Sequence, residues 1–279
     1  MGIFNDDFLN DSSLKNPEQD DSIALESSND SFPAPRTGSI VFSARGLVKK
    51  YNGLMALSGT NITIEKGDIY GLVGANGSGK TTLLRVIAGL ISIDEGQFEL
   101  FGESNTSGNI AKERRRIGGV IESPHLYLGL TAKGNLIAQC LNKGLDTNRV
   151  DDLLRLVGLD SEIDSVKKVR FFSLGMAQRL GIALALLGNP EFIILDEPMN
   201  GLDPLGIIDI RNIILDLNSK GVTFLISSHI LSELSKVATK YGFVRSGKIF
   251  KEVSADEIDT DNIEDYYLRI TGRGGKENA

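Results

Sequence analysis

Residues Gly74-Ala75-Asn76-Gly77-Ser78-Gly79-Lys80-Thr81 fit G-x-x-x-x-G-K-[ST] in full. This run narrows the fold more than any other, because the motif works only between a strand and a helix. Both neighbours are present. Ile69-Tyr70-Gly71-Leu72-Val73 reads as a buried strand, and Thr81 to Ala88 places apolar residues 83, 84, 87 and 88 on one helix face, stopped by Gly89. The chemistry accounts for each residue type. Glycines let backbone N–H groups curl around phosphate oxygens, and the helix that follows turns its positive end to the anion. Lys80 reaches the β- and γ-phosphates, and the Thr81 hydroxyl is placed for Mg²⁺.

The rest of the body repeats the alternation. Ile62 to Ile64, Phe98 to Leu100, Phe192 to Leu195 and Thr223 to Ile226 read as strands. Asp203 and Pro204 form an N-cap and N1 pair, with an apolar stripe at 207, 208, 214 and 215 that runs to Gly221. Ser228 is expected to cap a helix with Ile230, Leu231, Leu234 and Val237 inward. The stretch from about 126 to 187 lacks strand signals and reads as a helical insertion. This is an α/β pattern. With one Cys in 279 residues, a disulfide framework and a Cys-rich zinc site are excluded, and a count of two His argues against a His-built metal site. His125 and Cys140 carry no motif context and are read as structural.

A second chemical signal lies about 120 residues past the phosphate loop. Phe192-Ile193-Ile194-Leu195-Asp196-Glu197 is an apolar strand ending in two acids, and unpaired buried charge is expensive. Asp196 suits the Mg²⁺ shell as a Walker-B acid, and Glu197 is placed to orient or deprotonate a water that attacks the γ-phosphate. A helix N-cap plus a surface acid is the weaker alternative beside a phosphate loop. Charge is unevenly spread: residues 1–36 carry eight acids against two bases, so −6 of the net −7 sits there. That stretch is expected to be disordered, either an interaction arm or a solvated extension. The near-neutral remainder argues against a nucleic-acid partner. The first ten residues lack a basic n-region and an apolar h-region, and no apolar run approaches the ~20 residues of a membrane span, so a cytosolic protein is expected.

Between the two sites runs Phe172-Ser173-Leu174-Gly175-Met176, and after them come Asn200-Gly201-Leu202-Asp203 and Ser228-His229. Ahead of them stands Lys50-Tyr51. Six motifs in this order resemble the nucleotide-binding subunit of an ATP-binding-cassette (ABC) transporter over residues 40 to 255. The resemblance implies a P-loop NTPase with a RecA-like parallel sheet core, an antiparallel β subdomain and a helical subdomain insertion at about 124–188. It implies a cassette domain over 38–255 and an extension with a short helix and a flexible end over 256–279, while composition alone makes 1–37 an acidic disordered tail. ATP and Mg²⁺ are the implied cofactors. Lys80, Glu197 and His229 are the implied catalytic residues, with His229 contacting the γ-phosphate and holding the attacking water. Thr81, Asp196 and Glu122 are the implied metal residues. Tyr51 would stack on adenine, and Gly74, Ala75, Asn76, Gly77, Ser78, Gly79, Lys80, Thr81 and Thr82 would surround the phosphates. Ser173 and Gly175 of the signature, usually LSGGQ but here FSLGM, and Asp203 of the D-loop would complete the site. In the family the signature meets the ATP of a second ATPase subunit, so two cassettes sandwich two nucleotides.

Two departures refine the resemblance. Glu122, in Gly119-Val120-Ile121-Glu122-Ser123-Pro124, stands where the family usually has Gln, and it keeps an oxygen while losing an amide donor. Together with Ser-Leu-Gly-Met it resembles exporters of the bacitracin-resistance and lantibiotic-immunity type, which partner separate membrane permeases and move antimicrobial peptides. The segment from Glu122 to Thr131 lies where that family meets its membrane partner, and Glu264 to Leu268 resembles a short terminal helix of the group or a plain amphipathic end. Location on the inner face of the cell membrane follows from the resemblance. An exporter of another substrate, drug or lipid, and a soluble cassette ATPase acting on nucleic acid or ribosomes remain as alternatives.

Overall fold

A computed structural model describes residues 39–258 and 263–272; the acidic stretch 1–37 and the last residues of the C-terminal extension lie outside them. The described chain opens with a long hairpin, β1 (Ile40–Tyr51) and β2 (Leu54–Glu65). Its turn is Asn52-Gly53, both with positive φ (47° and 83°), the backbone that a two-residue hairpin of primed type requires. The chain continues through β3 (Ile69–Val73), α1 (Lys80–Ala88), β4 (Glu95–Leu100), β5 (Glu103–Ser104), α2 (Ile110–Glu113) and β6 (Ile117–Val120). From β6 to the next strand only helices form: α3 (Ala132–Lys143), α4 (Val150–Leu156) and α5 (Leu174–Ala185) with short 3₁₀ turns. Then come β7 (Phe192–Asp196), α6 (Pro204–Ser219), β8 (Thr223–Ser228), α7 (Leu231–Leu234), β9 (Lys240–Arg245), β10 (Lys248–Ser254) and α8 (Ile263–Thr271).

Two sheets result. One is antiparallel with order β2-β1-β4-β5, and the other has order β10-β9-β3-β8-β7-β6 and is parallel except for the β9–β10 hairpin. Strands β3, β7 and β8 are buried along their whole length, as strands covered on both faces must be. Their alternate residues serve two cores. Tyr70, Leu72, Phe192, Ile194 and Leu225 pack with α1 and the antiparallel sheet. Ile69, Val73, Ile193, Leu195, Phe224 and Ile226 pack against residues of the helices on the opposite face. The phosphate loop leaves β3 near the middle of the parallel sheet, at the carboxyl ends of the strands, where ligands of open α/β sheets bind.

Three sequence expectations need correction. The buried face of α6 is Gly206, Ile210, Ile213, Ile214 and Leu217, whereas Ile208 and Leu215 are exposed. Adjacent apolar pairs at 207–208 and 214–215 allow two helix phases, and packing of Ile210 and Leu217 selects one. Ser228 ends β8 instead of capping a helix: α7 has only four residues, its N-cap is Ile230, and the Ser228 hydroxyl accepts the Ile230 N–H at 3.0 Å. The hairpin β1–β2 extends far beyond Ile62 to Ile64. Its register slips at several points, including between Ala44 and Leu47 where Gly46 has φ 64°, and these irregularities break the period-2 pattern. At the C-terminus, α8 lays Tyr266 and Tyr267 on Phe243 of β9, with ring centroids 5.8 and 5.9 Å apart.

Candidate functional site

Residues 74–79 turn tightly because two glycines leave no room for a side chain. A Cβ on Gly74 would stand 2.6 Å from the Val244 carbonyl oxygen, and one on Gly79, at φ 110°, would stand 2.5 Å from that of Ala56. Gly79 is the N-cap of α1 and supplies no side-chain cap, so the first N–H groups of the helix stay open towards the loop. Lys80 is only 6% exposed, and its ammonium curls back to donate to the Gly74 carbonyl at 2.7 Å and the Ala75 carbonyl at 3.4 Å. The Ser78 hydroxyl is buried with no hydrogen-bond partner. Ala75, Asn76 and Gly77 form the exposed tip, and Thr82 is half-buried on α1. Open N–H groups, a buried ammonium and an orphaned hydroxyl are the donors a polyphosphate takes up.

The second half of the site comes from β7 and β8. Asp196, 5% exposed, accepts the Thr81 hydroxyl on Oδ2 at 2.9 Å and the Ser227 hydroxyl on Oδ1. One hydroxyl beside one carboxylate is a hard-oxygen pair of the kind Mg²⁺ uses together with substrate phosphates, so the donor set fits the metal. Glu197 follows with φ 51°, outside the comfortable region for a side-chain-bearing residue. Its carboxylate lies 3.5 Å from the Lys80 ammonium and 2.7 Å from Nδ1 of His229, and it also accepts the His229 backbone N–H at 3.2 Å. The strand register makes this possible: Val73 pairs with Ser228, and Asp196 with Ser227, so three strand ends stand level. Lys80, Thr81, Asp196, Glu197 and His229, from three separate segments, are thus one contact cluster.

The remaining expected residues lie apart from that cluster. Glu122, φ 67°, follows β6 with its carboxylate paired to the Arg85 guanidinium of α1, and no hydrogen bond among the described residues joins it to Thr81 or Asp196. Tyr51 closes β1 with an exposed ring and the Lys49 ammonium 5.8 Å from its centroid. Ser173 caps α5, accepting the Met176 N–H at 3.2 Å, and Gly175 lies in that first turn. Asp203 caps α6, accepting the Gly206 N–H at 3.0 Å. The two caps are neighbours: a Cβ on Gly201 would come within 3.1 Å of Leu174. Cys140 is fully buried, and burial pushes its thiol pKa up, which keeps it protonated and inert. His125 is exposed at a groove of about 200 Å³ between β6, α3 and α5. Sequence reasoning missed Ser227 and Arg85. The hydroxyl pair Ser227-Ser228, which ends an otherwise apolar strand, was the available signal for the first. Nothing local marks Arg85.

A family model described as ABC transporter matches residues 57–200. The bacitracin transport ATP-binding protein BcrA of Bacillus licheniformis is 44% identical over 222 residues, 79% of this chain and 72% of that protein. The lantibiotic transport ATP-binding protein SrtF of Streptococcus pyogenes is 40% identical over 223 residues, 80% of this chain and 94% of that protein. Among solved structures, an ATP-binding cassette of an ABC transporter in its ADP conformation superposes with a TM-score of 0.74 at 26% identity, covering 85% of this chain and 99% of that one. A dimeric post-hydrolysis cassette bound to ADP and Pi gives 0.69 at 25% identity, covering 77% and 98%.

Proposed function

We propose, from the premise that this chain belongs to the ABC transporter ATP-binding family, that it is the ATPase subunit of an exporter of antimicrobial peptides of the bacitracin or lantibiotic kind. The chain hydrolyses ATP to ADP and phosphate in service of transport. The observation that carries the residue assignment is the contact of Glu197 with both Lys80 and His229 beside the Thr81–Asp196 pair. The peptide class rests on the relatives named for bacitracin and lantibiotic transport. No helix among the described residues is long and apolar enough to cross a membrane. In this reading separate permease subunits form the path, and the chain works on the inner face of the cell membrane.

Each residue then has a task. The loop 74–79, Thr82 and the open end of α1 bind the phosphates, and Lys80 neutralises the β/γ charge. Thr81 and Asp196 hold Mg²⁺, which when bound offsets charge on the phosphate oxygens. Glu197 orients the attacking water and takes its proton, while His229 fixes the Glu197 carboxylate and reaches towards the γ-phosphate. Tyr51 offers a π-face to the base. Ser173 and Gly175, at the exposed start of α5, and Asp203, at the start of α6, face the nucleotide of a second ATPase subunit in a two-fold arrangement. Glu122, paired here with Arg85, keeps a carboxylate oxygen for the metal or its water.

The test is a capture experiment. Tagged Glu197→Gln protein with Mg-ATP is recovered from detergent-solubilised native membranes, and its partners are identified by mass spectrometry. Polytopic permease subunits are expected. Recovery of soluble partners, ribosomes or nucleic acid alone overturns the export reading.

A further inference from the structure

Ser227 is fully buried near the end of β8, on the sheet face shared by Leu225, Ile194 and α1. An apolar residue would suit that position. The hydroxyl there makes two directed contacts instead. It donates to Oδ1 of Asp196, and its oxygen accepts the Glu197 N–H at 3.0 Å. The Ser227 carbonyl accepts the same N–H at 3.1 Å. A serine hydroxyl has a single proton to give. With that proton on Asp196, its lone pairs are free to face Glu197, so the two contacts fix each other's direction.

The two partners need this. Asp196 is a buried carboxylate, and Thr81 satisfies only its Oδ2. Without a donor on Oδ1 the carboxylate is free to turn about its last torsion, which is broad in aspartate. Glu197 holds a left-handed φ of 51°, a conformation that strains a non-glycine residue and persists only where surroundings impose it. Its peptide N–H is anchored twice, both times on Ser227. One buried residue therefore sets the rotation of the first acid and the backbone of the second.

We infer that Ser227 is a positioning residue for the reaction, locking the metal-side acid Asp196 and the water-side acid Glu197 in fixed relative orientation. The inference rests on the roles given above to those two acids. Ser227 acts through both acids, which are its hydrogen-bond partners. Groups that orient metal ligands from the outer shell typically change metal affinity or activity by about 10- to 100-fold when removed.

The experiment compares the full chain with Ser227→Ala, Ser227→Cys, Ser227→Thr and Asp196→Asn. Three quantities are read: Mn²⁺ binding in the presence of ADP by electron paramagnetic resonance, kcat and KM for Mg-ATP, and Tm. Ser227→Ala is expected to weaken Mn²⁺ binding about tenfold and to lower kcat at least as much, with little change in metal-free ADP affinity. Ser227→Thr retains the hydroxyl and is expected to restore both quantities; Ser227→Cys, a weaker donor, falls between. Wild-type Mn²⁺ binding and kcat in Ser227→Ala overturn the inference. So does a loss in Ser227→Ala that follows Tm alone, or a folded Ser227→Thr that recovers nothing. Asp196→Asn separates the two levels. If it leaves Mn²⁺ binding unchanged, the assignment of Asp196 falls; if it weakens binding while Ser227→Ala does not, only the role of Ser227 falls.

Discussion

The carboxyl ends of the parallel strands and the start of α5, in the helical stretch between β6 and β7, treat their polar groups in opposite ways. At the strand ends, Lys80, Thr81, Asp196, Glu197, Ser227 and His229 bind one another, and Lys80, Asp196 and Ser227 are buried. In the helical stretch Ser173 stands exposed at the start of α5, next to exposed Leu174 and Phe171, and among the described residues its side chain bonds within its own helix cap. Backbone geometry explains the contrast. Level strand ends bring several segments within hydrogen-bond reach, whereas a helix start offers N–H groups from one segment and points them outward. The first region is chemically self-contained; the second is suited to work on something beyond its own chain.

Substitutions break or sharpen that contrast. The largest effects belong to the strand ends. Lys80→Ala is expected to weaken nucleotide binding at least about 100-fold, because it removes the buried cation and leaves Glu197 without it. Glu197→Gln is expected to cut phosphate release by roughly 10²- to 10⁴-fold while nucleotide affinity stays within a factor of a few, and to trap an ATP-bound dimer seen by size-exclusion chromatography. Wild-type hydrolysis in Glu197→Gln removes it as the base. Ser173→Ala comes next. It is expected to cost about 1 kcal/mol of stability through the lost cap and to slow turnover, with ATP affinity of the monomer unchanged. A fall in monomer affinity would place Ser173 with the first region and dissolve the comparison. Glu122→Gln is expected to leave ATP binding intact and to change the stimulation of ATPase by permease and peptide. The smallest effect is structural. The Arg116 hydrogen bond holds the Glu191 carboxyl below its ordinary range. A depressed folded pKa adds stability above the ordinary carboxylate range, and that stability is lost as pH falls through the folded value. Glu191→Gln is therefore expected to cost roughly 0.5 kcal/mol near neutral pH, shrinking on acidification, by thermal melts across pH.

The legible part of this molecule is the part whose cause is local. The phosphate loop, the start of α1 and its stop at Gly89 follow from glycine conformations and a short motif, and they lie where the residues place them. The Ser173 and Asp203 caps are likewise written within four residues. What escaped depends on residues far apart. Most of β1 and β2 was hidden by bulges and by lysines that alternation does not anticipate. The phase of α6 was decided by the core it meets. Ser227 gains its meaning only when β7 and β8 pair in register, 31 positions from Asp196. The partner of Glu122 sits 37 positions away on α1.

That last pairing has a consequence for the medium in which the protein works. Arg85 and Glu122 are 33% and 56% exposed, so mobile ions reach them, while Lys80 and Asp196 are nearly shielded. At ~0.15 M ionic strength the Debye length is about 8 Å, and near 1 M it shrinks to about 3 Å. Raising salt therefore loosens the tether of the loop after β6 to α1 before it disturbs the phosphate loop. Ionic strength becomes a dial that acts on one end of α1 and spares the other.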